Sequence, residues 1–174
     1  MTILLLPGHP PPPPRGIALQ TRGGWDIPNS VESIPGDNAV QLARKNLPTL
    51  PLQCTPLSGP TSYNCHGLTF ASRRTSIPRP GEDDDQVVRR ILRDDGYERV
   101  QSIPRVGDVV AYITDGKIVH TGLVCRLDRV HTRATSATPL VFIWSAWGSL
   151  GEFEHPATGL ESMYGTPEYW RRTP

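Results

Sequence analysis

Three short segments hold residue types that can do chemistry together. The first is Tyr63-Asn64-Cys65-His66-Gly67-Leu68-Thr69-Phe70-Ala71, in which a cysteine follows a loop and opens an amphipathic helical pattern. A helix start carries positive partial charge and unpaired N–H groups, which lower a thiol pKa and can donate to an oxyanion. The second is Ile118-Val119-His120-Thr121-Gly122-Leu123-Val124. Strand alternation puts Ile118, His120, Gly122 and Val124 on one face, with His120 its only polar side chain and open space at Gly122. An imidazole there can take a thiol proton and return it to a leaving amine. The third is Ile143-Trp144-Ser145-Ala146-Trp147-Gly148. Ser145, or a polar group near it, is placed to hold the second imidazole nitrogen, and Trp147 to cover that bond from water.

The elements that must position these residues are legible in outline. A helix is expected over 37–46, capped by Asp37 and stopped by Pro48. A second opens at Asn64 or Cys65 and runs to about Arg73, with His66 on its solvent side. A third begins at Asp83-Asp84-Asp85, where carboxylates oppose the dipole; Val87, Val88, Ile91 and Leu92 form its apolar stripe and Gly96 ends it. Strands are expected over 107–113, 118–127 and 140–146, with Asp115-Gly116 turning the first hairpin. Helices first and antiparallel strands after is the order of an α+β domain.

Composition bounds what such a domain does. The chain has 174 residues, enough for one domain, and 37% of them are apolar. Its 19 prolines include the run Pro10 to Pro14, so residues 1–23 read as a proline-rich disordered tail and 24–174 as the folded domain. Eighteen basic residues balance 17 acidic ones, which excludes a bulk polyanion as partner and leaves no nucleic-acid function. Ile3-Leu4-Leu5-Leu6 is too short for an export leader or a membrane helix. No membrane partner is expected and a cytoplasmic location is, with delivery by a specialised secretion route left open. The three cysteines, Cys54, Cys65 and Cys125, are an odd count without a CxxC and read as free thiols. A zinc site from Cys65, His66, His120 and His155 is the chemical rival. Adjacent Cys-His is a poor chelate and no short pair accompanies it, so no metal and no cofactor is expected.

Taken in order, these segments resemble the papain-like cysteine peptidases, in particular their compact NlpC/P60 and CHAP amidase branch. The resembling residues are Asn64-Cys65-His66-Gly67-Leu68, Gly107-Asp108-Val109-Val110, His120-Thr121-Gly122 and Ser145-Ala146-Trp147-Gly148, covering about residues 60–155. The resemblance implies a single papain-like α+β domain, with a nucleophile helix packed on a small antiparallel sheet. It implies a thiol-dependent amidase or peptidase with Cys65 as nucleophile, His120 as base and then acid, and Ser145 as the third member. Serine departs from the family's usual Asn, His, Asp, Glu or Gln, so Glu152, Glu154 and His155 are alternatives for orienting the base or contacting substrate. Gln53, Tyr63 and Asn64 are candidates for the oxyanion site, and Trp147 for lining it. The substrate would be a peptide, a protein or a peptidoglycan-like amide. An amine acceptor would make a transferase, and a fold of this kind without turnover a binding module; a deamidase is a further variant.

Overall fold

The computed structural model describes residues 16–46, 54–78, 81–128 and 139–173. Helix α1 is Asp37–Asn46, β1 Thr55–Pro56, α2 Cys65–Phe70, α3 Asp84–Asp94, β2 Tyr97–Arg99, β3 Val109–Thr114, β4 Lys117–Asp128 and β5 Leu140–Ala146. A single 3-10 turn at Gly148–Leu150 leads to β6 Glu152–Pro156, followed by α4 Glu161–Tyr164 and β7 Thr166–Arg172. The seven strands of the described residues form one antiparallel sheet in the order β1-β6-β5-β4-β3-β7-β2.

This sheet overturns the papain-like α+β expectation. The chain is mostly sheet, with few and short helices, rather than a nucleophile helix on a small sheet. Strands β3, β4 and β5 stand where alternation placed them. The other four carry weak strand signals. Strand β6 (Glu-Phe-Glu-His-Pro) reads as a cluster of ionisable groups, β7 contains Pro167 and three charged residues, and β1 and β2 have two and three residues. Helix α2 also stops earlier than expected, because Ser72 and Arg73 take positive φ (50° and 66°) and turn the chain away.

The two faces of the sheet are covered differently. On one, Val109, Ala111 and Ile118 pack against Val88 and Leu92 of α3. The other side of α3, through Val87 and Ile91, packs on Ile27, Ala71 and Ile77, with Leu19 and Trp25 against that cluster. Residues 16–23 therefore join the folded unit on the N-terminal side of the boundary expected at 24, while the proline run lies outside the described residues. The opposite face carries Val110, Tyr112, Val124, Val141, Ile143 and Ala157, continued by Trp147, Phe153 and Leu160.

Local capping explains the α3 boundaries. The Asp83 side chain accepts from the Gln86 N–H, and Asp84 and Asp85 fill the first turn. Asp85 also accepts from the Ile118 N–H at 2.8 Å, which ties α3 to the β3–β4 hairpin. Among the described residues no helix is long and apolar enough to cross a membrane.

Asp108, just before β3, fastens β3 to β7. Its carboxylate accepts two bonds from Arg171 of β7, at 2.8 and 2.7 Å, and one from the Arg105 N–H at 2.8 Å. It is buried, so Asp108→Ala leaves the half-exposed guanidinium and a backbone N–H without their acceptor. The expected cost is about 2–3 kcal/mol, read as a lower urea midpoint at unchanged slope. A midpoint within error of the parent would show the β3–β7 contact to be held by packing alone.

Candidate active site

Helix α2 begins at Cys65 because Asn64 caps it. The Asn64 Oδ1 accepts from the Gly67 N–H at 2.9 Å and the Ile77 N–H at 3.1 Å, while Nδ2 donates to the Ile77 carbonyl at 2.6 Å. The side chain is thus engaged in structure and is not an oxyanion donor. Gly67 is required by contact: a Cβ there would overlap the Thr75 carbonyl oxygen. This close approach brings the start of α2 against the 75–77 segment. The Cys65 and His66 N–H groups stay at the helix opening, where no intrahelical acceptor exists for them.

His66 is not on the solvent side. It is 1% exposed and contacts β4 through Thr121. The hydrogen-bond chain fixes its protonation. Thr69 Oγ1 donates to the Cys65 carbonyl at 2.8 Å, so the Thr69–Thr121 bond of 3.0 Å must be donated by Thr121. Thr121 has then used its proton and accepts from His66 Nδ1–H at 2.8 Å. The remaining nitrogen, Nε2, lies 3.7 Å from the Asp84 carboxylate. A bare lone pair facing a carboxylate is unfavourable, so the arrangement favours the imidazolium. Burial pulls His66 down, but the Cys65 thiolate and Asp84 outweigh it and the group is pushed up to about 9.

His120 reaches the same thiol from a different element. A bulge between Tyr112 and Ile113 pairs Tyr112 with His120 and Ile113 with Ile118. Ile118 and His120 therefore leave opposite faces, against simple alternation: Ile118 packs under α3, and His120 lies with Tyr112. Gly122 leaves no open space either, since a Cβ there would sit 2.6 Å from Ile143 Cγ2 and 2.8 Å from the Trp144 carbonyl. The His120 ring is buried and stacked on Tyr164 at 4.0 Å and 8°.

The Cys65 thiol is half-buried, and burial by itself would raise its pKa. The imidazoles of His66 and His120, by charge and by side-chain hydrogen bonding, more than reverse this and hold the thiol well below its usual value. The other two cysteines behave in the opposite way. Burial raises Cys54, and burial together with Glu154 pushes Cys125 up to about 11.

The remaining expected site residues are assigned elsewhere. Ser145 does not touch His120: it donates to His155 Nε2 at 2.9 Å and accepts from Trp147 Nε1 at 2.8 Å. His155 Nδ1 donates to the Pro156 carbonyl at 2.9 Å, which sets the tautomer and leaves every member of this buried chain satisfied. Trp147 stacks on Phe153 at 4.5 Å and closes the cluster. Glu152 accepts from Tyr63 Oη, from Trp144 Nε1 at 3.0 Å and from Arg73 Nε at 2.9 Å. Tyr63 and Glu152 thus hold each other beside α2. Glu154 pairs with Arg126 at 2.8 Å, and Gln53 lies outside the described residues. Two groups escaped sequence reasoning. His66 was masked by its place on a helix expected to show it to solvent, and Tyr164 by a four-residue helix without an amphipathic pattern. Among the described residues no group of three or more His, Cys, Asp or Glu is arranged to hold a metal ion.

The His155 cluster has a pH consequence. Burial pulls this imidazole down to about 4, below an unfolded value near 6.5. Between those values the unfolded chain binds a proton that the folded chain does not. Stability therefore falls as pH falls from about 6.5 to 4, by about 3 kcal/mol in all. Urea midpoints at pH 7 and pH 4.5 read this directly, and His155→Gln should flatten the difference while lowering the pH 7 value. An undiminished slope in the variant would assign the acid sensitivity to other groups.

No family model, curated protein or solved structure matches the chain, and what the site can do follows from its own groups.

Proposed function

We propose that this protein is a thiol-dependent hydrolase that cleaves an amide or peptide bond through a thioester on Cys65. The observation that carries the reading is the meeting of one lowered thiol, at the opening of α2, with two imidazoles from different elements. The likeness of residues 64–68 and 120–122 to papain-like cysteine peptidases supports the same chemistry without the fold.

In this scheme His120 takes the Cys65 proton and the His66 imidazolium stabilises the thiolate left behind. The thiolate sulfur attacks the carbonyl carbon, and the oxyanion meets the N–H groups at the α2 opening. Collapse breaks the C–N bond, with the His120 proton going to the leaving amine. Water then gives a proton to His120 and attacks the thioester, the C–S bond breaks, and the thiol is restored. An amine in place of that water makes the protein a transferase by the same two steps. A second reading, a binding module without turnover, is favoured by one observation: His120 Nε2 is buried and has no hydrogen-bond partner among the described residues.

Alkylation by iodoacetamide, followed at each cysteine by mass spectrometry between pH 5 and 9, separates the two. At pH 7 Cys65 should label at least about tenfold faster than Cys54 or Cys125. His66→Gln and His120→Ala should each move its labelling limb to higher pH, because each removes a group that lowers the thiol. With amide substrates, an acyl mass addition should appear on Cys65 and vanish in Cys65→Ala. Labelling at Cys65 no faster than at the other two sites would defeat the hydrolase reading.

A further inference from the structure

We infer that Tyr164 is the positioning residue for His120, its aromatic ring holding the plane of the imidazole by face-to-face contact. The inference rests on the reading of His120 as proton carrier and adds to it a residue with no place in the motifs.

The polar groups that could have oriented His120 are engaged elsewhere. Ser145 is bonded to His155 and Trp147, Glu152 to Tyr63, Arg73 and Trp144, and Glu154 to Arg126. His120 Nε2 has no partner among the described residues. What fixes the ring is contact with two others. Tyr164 lies face to face with it at 4.0 Å and 8°, and Tyr112 meets it tilted at 5.6 Å and 49°. A histidine gripped on its face cannot rotate about its outer bond without losing that stack.

Tyr164 is itself well placed to serve as a fixed wall. Its ring also meets Tyr112 at 6.0 Å and Trp147 at 6.2 Å. Its N–H donates to the carbonyl of the buried Leu160 at 2.8 Å. The next residue, Gly165, has φ of 80°, and a Cβ there would overlap the Ile113 carbonyl oxygen. The end of α4 is thus clamped onto β3 one residue from Tyr112, the partner of His120 in the ladder. The Tyr164 ring face supplies the contact with His120, and the hydroxyl is not needed for it. Among the described residues, the titratable groups in contact with or coupled to His120 are Cys65, Tyr112, Tyr164 and His155.

The test uses the full chain with Tyr164→Leu, Tyr164→Phe and His120→Ala. Two readouts are taken: the pH profile of Cys65 alkylation by iodoacetamide, and the imidazole nitrogen and carbon-bound proton resonances of His120. Tyr164→Leu should lower the Cys65 rate at pH 6 about tenfold, toward the His120→Ala value, with Cys54 and Cys125 labelling unchanged. The same variant should remove the ring-current shift of the His120 protons and weaken their through-space contacts to the Tyr112 ring, because the imidazole then samples more than one orientation. Tyr164→Phe should restore both readouts to within about twofold of the parent. A parental profile in Tyr164→Leu, alongside a lost one in His120→Ala, would overturn the role of Tyr164 and leave His120 as base. Equal loss in the Phe and Leu variants would overturn it in favour of the hydroxyl. If Cys65 in the parent chain has no limb below pH 8, the hydrolase reading fails. The resonances then decide separately: His120-to-Tyr112 proton contacts unchanged in Tyr164→Leu overturn the positioning role, and weakened ones uphold it.

Discussion

The site depends on how closely the start of α2 approaches the chain at Thr75–Ile77. Gly67 permits backbone-to-backbone contact there, and Asn64 caps α2 with one hydrogen bond and reaches Ile77 with two. That junction aims the first turn of α2 at β4, so that His66 and Thr69 both land on Thr121. A six-residue helix has little stability of its own, and nucleation costs more than its few internal bonds return. Its geometry is imposed from outside, by the cap on one side and the threonine on the other. The Cys65 thiol inherits its position from that imposed geometry rather than from the helix itself.

Two buried imidazoles in this small domain meet opposite fates, and the difference lies in what surrounds the second nitrogen. His155 has a hydroxyl and a carbonyl, both neutral, and the pair suits an uncharged ring. His66 has a hydroxyl on one side and a carboxylate with a thiol on the other, and the set suits a charged one. Burial acts against charge in both cases. Only where compensating charge is within reach does an ionic form survive in a low-dielectric surrounding.

Helix α3 and the β3–β4 hairpin were legible in the sequence because their signals are local. Asp83 caps three residues away, the apolar stripe repeats at helical spacing, and Asp115-Gly116 makes a turn of its own. The expectation of a lowered thiol at Cys65 was local as well, drawn from a loop, a cap and a helix start, whereas the groups that lower it in the structure are His66 and His120. What stayed hidden depends on distant partners. Strand β7 earns its place by pairing with β3 and β2, through residues whose own pattern is charged and interrupted by Pro167. The bulge at Val119 reverses the faces of Ile118 and His120 without any glycine to announce it. Ser145 is placed as an orienting serine by spacing along one strand, yet its hydrogen bond is decided by a neighbouring strand that the alternation pattern did not reveal.

The strand order carries a consequence for the sequence of events in folding. Strand β7 follows every other strand along the chain, yet it is inserted between β3 and β2, and β1 waits for β6 across almost a hundred residues. Contacts of such long range form late and slowly, after the loop-closure entropy of the intervening chain has been overcome. Cys65, His120 and Tyr164 are separated by 55 and 44 residues along the sequence. A partly folded chain therefore holds an ordinary, protonated cysteine. The lowered thiol comes into being only as the sheet closes and brings both imidazoles to Cys65.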